Sequence, residues 1–307
     1  MTDSGIHAPR RRVSLRSPAK VNLHLEVLHT RPDGYHEIET ILQAVTLFDH
    51  LLFELEEEWS NRPTQIDLLV EPHGAAPDDQ TNLVHQAIML FCQHTGRAGD
   101  ISVTLKKNIP SQAGLGGGSG NAAAALVACN RLFKTGLTDS DLEELGAKIG
   151  SDVPFFIRGG TQLARGRGTE LTKLMSVTQG RFLIIKPAVS VSTPEVYDRL
   201  KLGLTTRSPK VNIRITEALI ARFPMGSWFG TNRLEEVVLP DRPELQRLLL
   251  ELQDHASIAL LAGSGSAIFG VFPDDHDMAG TMELIEGMDY FVHKADPFSR
   301  GVVFTDE

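Results

Sequence analysis

The chain has 307 residues, 41% of them hydrophobic and 22% charged, with a formal net charge of −9. That length accommodates two domains with cores of their own, and the acidic balance excludes a surface that tracks phosphodiester backbones, so no nucleic-acid partner is expected. No apolar run reaches membrane-spanning length and the start of the chain lacks the apolar core of a secretion signal, so a cytoplasmic protein with no membrane partner is expected.

Residues 1–16, including Arg10-Arg11-Arg12, read as an N-terminal tail. Val21, Leu23, Leu25 and Val27 then alternate with Asn22, His24 and Glu26, the pattern of a half-buried strand. Asp33-Gly34 marks a turn, Ile38 to Phe48 reads as the returning strand, and Leu51–Leu55 and Ile66–Val70 as further strands. Thr81 or Asn82 caps a helix that runs through Cys92. Ile101, Val103 and Leu105 alternate up to Pro110, where a glycine-dense stretch runs without a break into an alanine-rich helix from Asn121 to Phe133. Thr138 and Asp141 have capping-box spacing ahead of another helix, and Asp152 precedes a short one with Pro154 in its first turn. Strands return at Gln162–Ala164 and Arg181–Lys186, helices follow, and Ala267–Phe272 is a late strand. This order predicts an α+β fold with a domain break near residues 160–180. Cys92 and Cys129 lie in apolar helical segments without metal-ligand spacing and read as buried free thiols of a reducing compartment.

The stretch from Pro110 to Gly120, with the helix behind it, carries the strongest chemical signal. Glycines let backbone N–H groups come close to a ligand, and a helix N-terminus adds partial positive charge, so a polyphosphate is the natural guest. The Gly-Lys-Ser/Thr ending of a P-loop is absent, and the spacing of a dinucleotide fold fails. Three other segments stay open between two readings. Lys20, on one face with Asn22 and His24, is either a solvated strand lysine or a cation that stabilises phosphoryl transfer. Asp152 is either a helix cap or a carboxylate that deprotonates or orients an acceptor hydroxyl. Leu261-Ala262-Gly263-Ser264-Gly265-Ser266-Ala267 is either a strand-connecting turn or a close approach to phosphate.

Together these segments resemble the galactokinase, homoserine kinase, mevalonate kinase and phosphomevalonate kinase (GHMP) superfamily. The pieces are Ser17 to Leu23, Arg31-Pro-Asp-Gly-Tyr-His36, Asn108 to Ala124, Gly150 to Phe156, Gly159-Gly-Thr161, Arg165-Gly-Arg-Gly168 and Ala262 to Phe269, in the family's order. Within the superfamily they are most similar to the branch that takes a cytidine-diphosphate-linked methylerythritol. The resemblance implies a two-domain fold, with a ribosomal protein S5 domain 2-like ATP-binding domain over residues 17–165 and a ferredoxin-like domain over 166–307. It implies ATP-dependent phosphorylation of the methylerythritol 2-hydroxyl, with Mg²⁺ accompanying ATP. Lys20 and Asp152 match the catalytic pair. Pro110, Ser111, Gln112, Ala113, Gly114, Leu115, Gly116, Gly117, Gly118, Ser119 and Gly120 match the phosphate loop, and Asn82 and Lys107 match positions near the nucleotide. Ser119 is the implied metal ligand. Tyr35, His36 and Tyr197 match the residues that hold the cytosine, with Asn22 and Thr193 adding polar contacts. Another GHMP small-molecule kinase and a non-catalytic nucleotide sensor are the alternatives. The chain departs from the family at Gly120 and Ala262, where relatives carry hydroxyls, and a lower nucleotide affinity is the expected consequence.

Overall fold

The computed structural model describes residues 11–59, 62–200, 211–224 and 230–305. β1 (Arg11–Thr30) and β2 (His36–Trp59) form a long antiparallel hairpin, paired from Thr30 with His36 back to Arg11 with Leu55. The register shifts at Pro18/Ala19, Asn22/His24 and Val27/His29. Proline cannot donate to the ladder, and such bulges bend a strand and re-aim its side chains. β3 (Gln65–Glu71) is the outer strand, α1 (Leu83–Thr95) follows, and β4 (Ala98–Lys106) slots between β2 and β3. α2 (Gly117–Phe133), α3 (Asp139–Ile149) and α4 (Val153–Arg158) come next. β5 (Thr161–Arg165) and β6 (Glu170–Lys173) extend the first sheet from β2.

The second sheet begins with β7 (Arg181–Lys186). α5 (Thr193–Arg199), α6 (Ile213–Ile220), α7 (Glu235–Val238) and α8 (Pro243–His255) separate it from β8 (Ile258–Leu261), β9 (Ile268–Phe272), α9 (Asp275–Leu284) and β10 (Phe291–Ala295). The strand order is β10-β7-β9-β8, the split βαββαβ arrangement of a ferredoxin-like unit. The chain then returns to the first sheet, where β11 (Val303–Phe304) pairs with β1 at Leu15 and Arg16.

Two boundaries differ from expectation. Residues 11–16 are not tail: they pair along β2 with Val13 and Leu15 buried, while residues 1–10 lie outside the described residues. The first sheet also extends past residue 165, through β6, and takes back the end of the chain in β11. Within the expected break at 160–180, the passage between sheets therefore falls after Lys173.

Packing explains why β1 is more buried than its alternation suggests. Ala19, Val21 and Leu23 pack with Phe182, Ile184 and Phe269 of the second sheet, forming the core between the two sheets. A second core lies between the first sheet and the helices, where Ala122, Ala123, Ala124 and Ala125 of α2 are fully buried. Their small side chains let the helix lie close to the sheet and to α1. No helix among the described residues is long and apolar enough to cross a membrane.

Candidate active site

A cleft of about 850 Å³ opens between the β1–β2 hairpin, the 110–120 loop and the first turn of α5. Lys20 and Asp152 line it, with Asn22, Tyr35, His36, Asn82, Lys107, Thr193, Tyr197 and every residue from Pro110 to Ser119. Gly120 is the one predicted site residue that does not. Its N–H is spent on Gly116 O at 2.9 Å, and a Cβ there would come 2.3 Å from Ser17 Oγ. Gly120 therefore seats α2 on β1 and belongs to the packing rather than to the phosphate cradle. Ala262 is fully buried and likewise does not line the cleft. Neither departure lies on the cleft lining, so a lower nucleotide affinity would have to act through packing.

The glycine-loop end of the cleft is built from backbone. Gly114 and Gly116 have φ of 75° and 73°, the region where a side chain is strained. A Cβ on Gly114 would lie 1.8 Å from Ala262 O, and one on Gly116 would lie 2.7 Å from the Phe156 ring. The loop thus closes against the 262–267 turn, which joins β8 to β9, and Ala267 N donates to Ala113 O at 3.1 Å. That turn is both things the sequence left open: it connects strands, and Gly263 and Ser264 reach the cleft. Gly116, the residue before α2, makes no side-chain cap. The helix's first N–H groups therefore face the cleft uncapped, the arrangement that binds anions.

Asp49 is the group that sequence reasoning missed. It is fully buried within β2, beside the end of β4, and its carboxylate accepts from Lys107 Nζ, Asn108 N at 2.8 Å, Ile109 N at 2.8 Å and Asn121 Nδ2 at 2.9 Å. In Thr-Leu-Phe-Asp-His-Leu it falls between the strands expected to end at Phe48 and to begin at Leu51, and no local signal marks it. Lys107 lines the cleft with its charge already paired. Asn121, also missed, lines the cleft with a buried Oδ1 that has no hydrogen-bond donor. Asn82 caps α1, its Oδ1 accepting from Val84 N at 2.9 Å.

The catalytic candidates meet at the centre. Lys20 is 4% exposed, which excludes the solvated-lysine reading. Its Nζ donates to Asn22 Oδ1 at 2.7 Å and lies 3.7 Å from Asp152 Oδ2. Asn22 in turn donates to Thr40 Oγ1 at 2.9 Å, so its carboxamide orients the lysine. Burial pulls the Lys20 pKa below its ordinary 10.5, and the charge and hydrogen bond of Asp152 oppose that fall. Asp152 precedes α4 but makes no cap hydrogen bond to it; the carboxylate faces Lys20 instead.

At the far end, the His36 and Tyr197 rings pack 5.1 Å apart, and Tyr35 is half exposed with the Arg167 guanidinium 5.3 Å from its ring centre. Thr193 Oγ1 shares a 2.6 Å hydrogen bond with Ser264 Oγ. Among the described residues no cluster of three or more His, Cys, Asp or Glu could hold a metal.

Residues 82–160 match the family model described as GHMP kinases N terminal domain. The 4-diphosphocytidyl-2-C-methyl-D-erythritol kinase of Syntrophus aciditrophicus (strain SB) is 38% identical over 276 residues, covering 90% of this chain and 95% of the relative. The chain belongs to this kinase family. The namesake of Geobacillus kaustophilus (strain HTA426) is likewise 38% identical, over 90% of this chain and 93% of its own. A crystal structure of 4-(cytidine 5'-diphospho)-2C-methyl-D-erythritol kinase superposes with a TM-score of 0.75 at 28% identity, covering 92% of this kinase and 99% of that chain. A homoserine kinase from Cytophaga hutchinsonii, at 18% identity and a TM-score of 0.72, shares the fold over 99% of both chains. The kinase's α+β fold and both expected sheet units accord with these likenesses.

Proposed function

We propose that this kinase transfers the γ-phosphoryl group of ATP to the 2-hydroxyl of 4-diphosphocytidyl-2-C-methyl-D-erythritol, giving the 2-phosphate and ADP in isoprenoid precursor synthesis. The observation that carries the reading is the pairing of buried Lys20 with the partly exposed Asp152, 3.7 Å apart, in one cleft with an uncapped helix N-terminus and a cluster of aromatic rings. ATP phosphates lie on the amides of the Pro110–Ser119 loop and the first turn of α2, so their charge is met mainly by backbone. Asp152 takes or orients the 2-hydroxyl proton, and Lys20 favours the resulting alkoxide and holds the carboxylate in place. Phosphoryl transfer needs mostly positioning and charge neutralisation, which two fixed groups and a rigid loop supply.

The donor set suits an ion that keeps most of its waters and leans on substrate phosphates, as Mg²⁺ does. Ser119 Oγ is the residue that would hold it, and the ion would neutralise charge on the phosphates. Tyr35, His36 and Tyr197 supply faces and a ring edge for the cytosine. Asn22 serves Lys20 first, while Thr193 stands where the diphosphate would pass. Substrate and nucleotide are both small molecules; the net charge of −9 supports the reading of no nucleic-acid partner, and the buried free thiols Cys92 and Cys129 support a reducing, cytoplasmic setting.

The test is ADP release with Mg-ATP and the cytidine substrate, run beside mevalonate, homoserine and galactose, with phosphorus NMR to locate the new phosphate. Turnover confined to the cytidine compound, with a phosphomonoester on the 2-oxygen, is expected. Turnover with another alcohol would overturn the substrate assignment, and ATP binding without any turnover would overturn the kinase reading in favour of a sensor.

A further inference from the structure

Asn232 lies outside the active cleft, yet its side chain reaches the back of the cleft wall. It is 3% exposed, precedes α7, and borders a second cleft of about 560 Å³ behind β8. Its Nδ2 donates to Leu261 O at 2.8 Å and to Gly263 O at 2.7 Å, and its Oδ1 accepts from Leu234 N at 3.0 Å. The segment that carries it is fixed to β1: Leu25 N donates to Thr231 O at 2.7 Å, and Arg233 N to Leu25 O at 2.9 Å. Glu235 Oε1 grips the same strand end, accepting from Leu261 N at 2.8 Å.

Gly263 and Ser264, on the other side of that turn, line the active cleft. A Cβ on Gly263 would sit 3.1 Å from Lys20 Nζ and 3.5 Å from Asn22 Oδ1, so this peptide abuts Lys20 and the asparagine that orients it. In a trans peptide the C=O and the following N–H point in opposite directions. With the Gly263 carbonyl held on the second-cleft side, the Ser264 N–H is turned toward the active cleft.

We infer that Asn232 is a positioning residue for phosphoryl transfer: by tethering the Gly263 carbonyl from behind, it presents the Ser264 N–H to the transferring phosphoryl group. The inference rests on the kinase reading above. A fixed amide beside Lys20 is a donor oriented before charge develops, so it acts without reorganisation at the moment of transfer. Freed from Asn232, the turn peptide can rotate and the donor is lost from that direction. Nothing in Thr-Asn-Arg-Leu-Glu signals this role, because the acceptors lie 29 and 31 residues away.

The test uses the full-length enzyme with Asn232→Asp and Asn232→Ala. Asn232→Asp keeps the size and the acceptor toward Leu234 N but removes both donors. The expected result is kcat lower by about 10- to 100-fold, the effect of small misplacement near the chemistry, with the KM for ATP within about twofold. Circular dichroism and thermal unfolding establish that the variants are folded. Independently, the Ser264 amide nitrogen resonance of the wild type should shift on adding Mg²⁺ with a non-hydrolysable ATP analogue, and that measurement decides even if both variants fail to fold. A folded Asn232→Asp enzyme with wild-type kcat, or a Ser264 amide that ignores the nucleotide analogue, would overturn the inference. A wild-type enzyme with no turnover would overturn the kinase reading instead, with the amide shift still reporting on the turn.

Discussion

Asp49→Asn is the sharpest probe of how the phosphate loop is held. The wild-type carboxylate is fully buried, with Oδ1 accepting from Asn108 N and Ile109 N and Oδ2 accepting from Lys107 Nζ and Asn121 Nδ2. Asparagine keeps the shape but offers one oxygen where there were two. Whichever way the amide turns, donors face a donor. The Lys107 side chain is only 5% exposed, so its ammonium cannot recover its lost partner from water. Breaking a buried pair from one side costs about 3–5 kcal/mol, against a total stability of about 5–15 kcal/mol for a folded domain. Adding Lys107→Met removes the stranded charge, so the double variant should be more stable than the summed single effects by about 2 kcal/mol or more. Urea unfolding of the four proteins at pH 7 measures this coupling. A coupling below about 0.5 kcal/mol, the scatter expected of independent sites, would refute the buried-pair account. The same variant should raise the KM for ATP, because the 107–109 turn and Asn121 lose their common anchor.

Asp152→Asn should lower kcat by about 10²–10⁴-fold, the range for a general base; a loss of only a few fold would leave Asp152 an electrostatic anchor. Because Asp152 opposes the fall that burial imposes on Lys20, this variant should also move the Lys20 titration to lower pH, read by side-chain NMR. Gly120→Ser should destabilise the protein without lowering the KM for ATP, since the new Cβ would meet Ser17 Oγ at 2.3 Å; tighter ATP binding would contradict the placement of α2. Burial raises the Glu235 carboxyl from 4.5 to about 7, so between those values the folded state holds more protons than the unfolded one and the group's contribution to stability falls as pH rises. Glu235→Gln should flatten that part of the stability profile, and an unchanged slope between pH 4.5 and 7 would count against the shift.

What could be read from the chain divides by the distance over which a residue finds its meaning. The glycine loop, the Thr138–Asp141 capping box and the cap at Asn82 are legible because their partners lie within a few positions. Lys20 and Asp152 are 132 positions apart, and residue chemistry left each of them open between a bland and a catalytic role; only the superfamily resemblance paired them. Asp49 and Asn232 carried no signal at all, since a buried carboxylate and a surface one look alike until the donors 58 to 72 positions away are known. Residues 11–16 were misread for the same reason, because two apolar residues among arginines justify a strand only when β2 and the far end of the chain are beside them. The alternation in β1 was real and its interpretation was not. Polar residues opposite an apolar stripe face water on an isolated sheet. Here the second sheet covers the apolar stripe, and the helices and the cleft cover Lys20 and Asn22 on the other side. A lysine that periodicity leaves free to face solvent is thereby placed where it loses water and gains a carboxylate, and that exchange is what the proposed phosphoryl transfer requires of it.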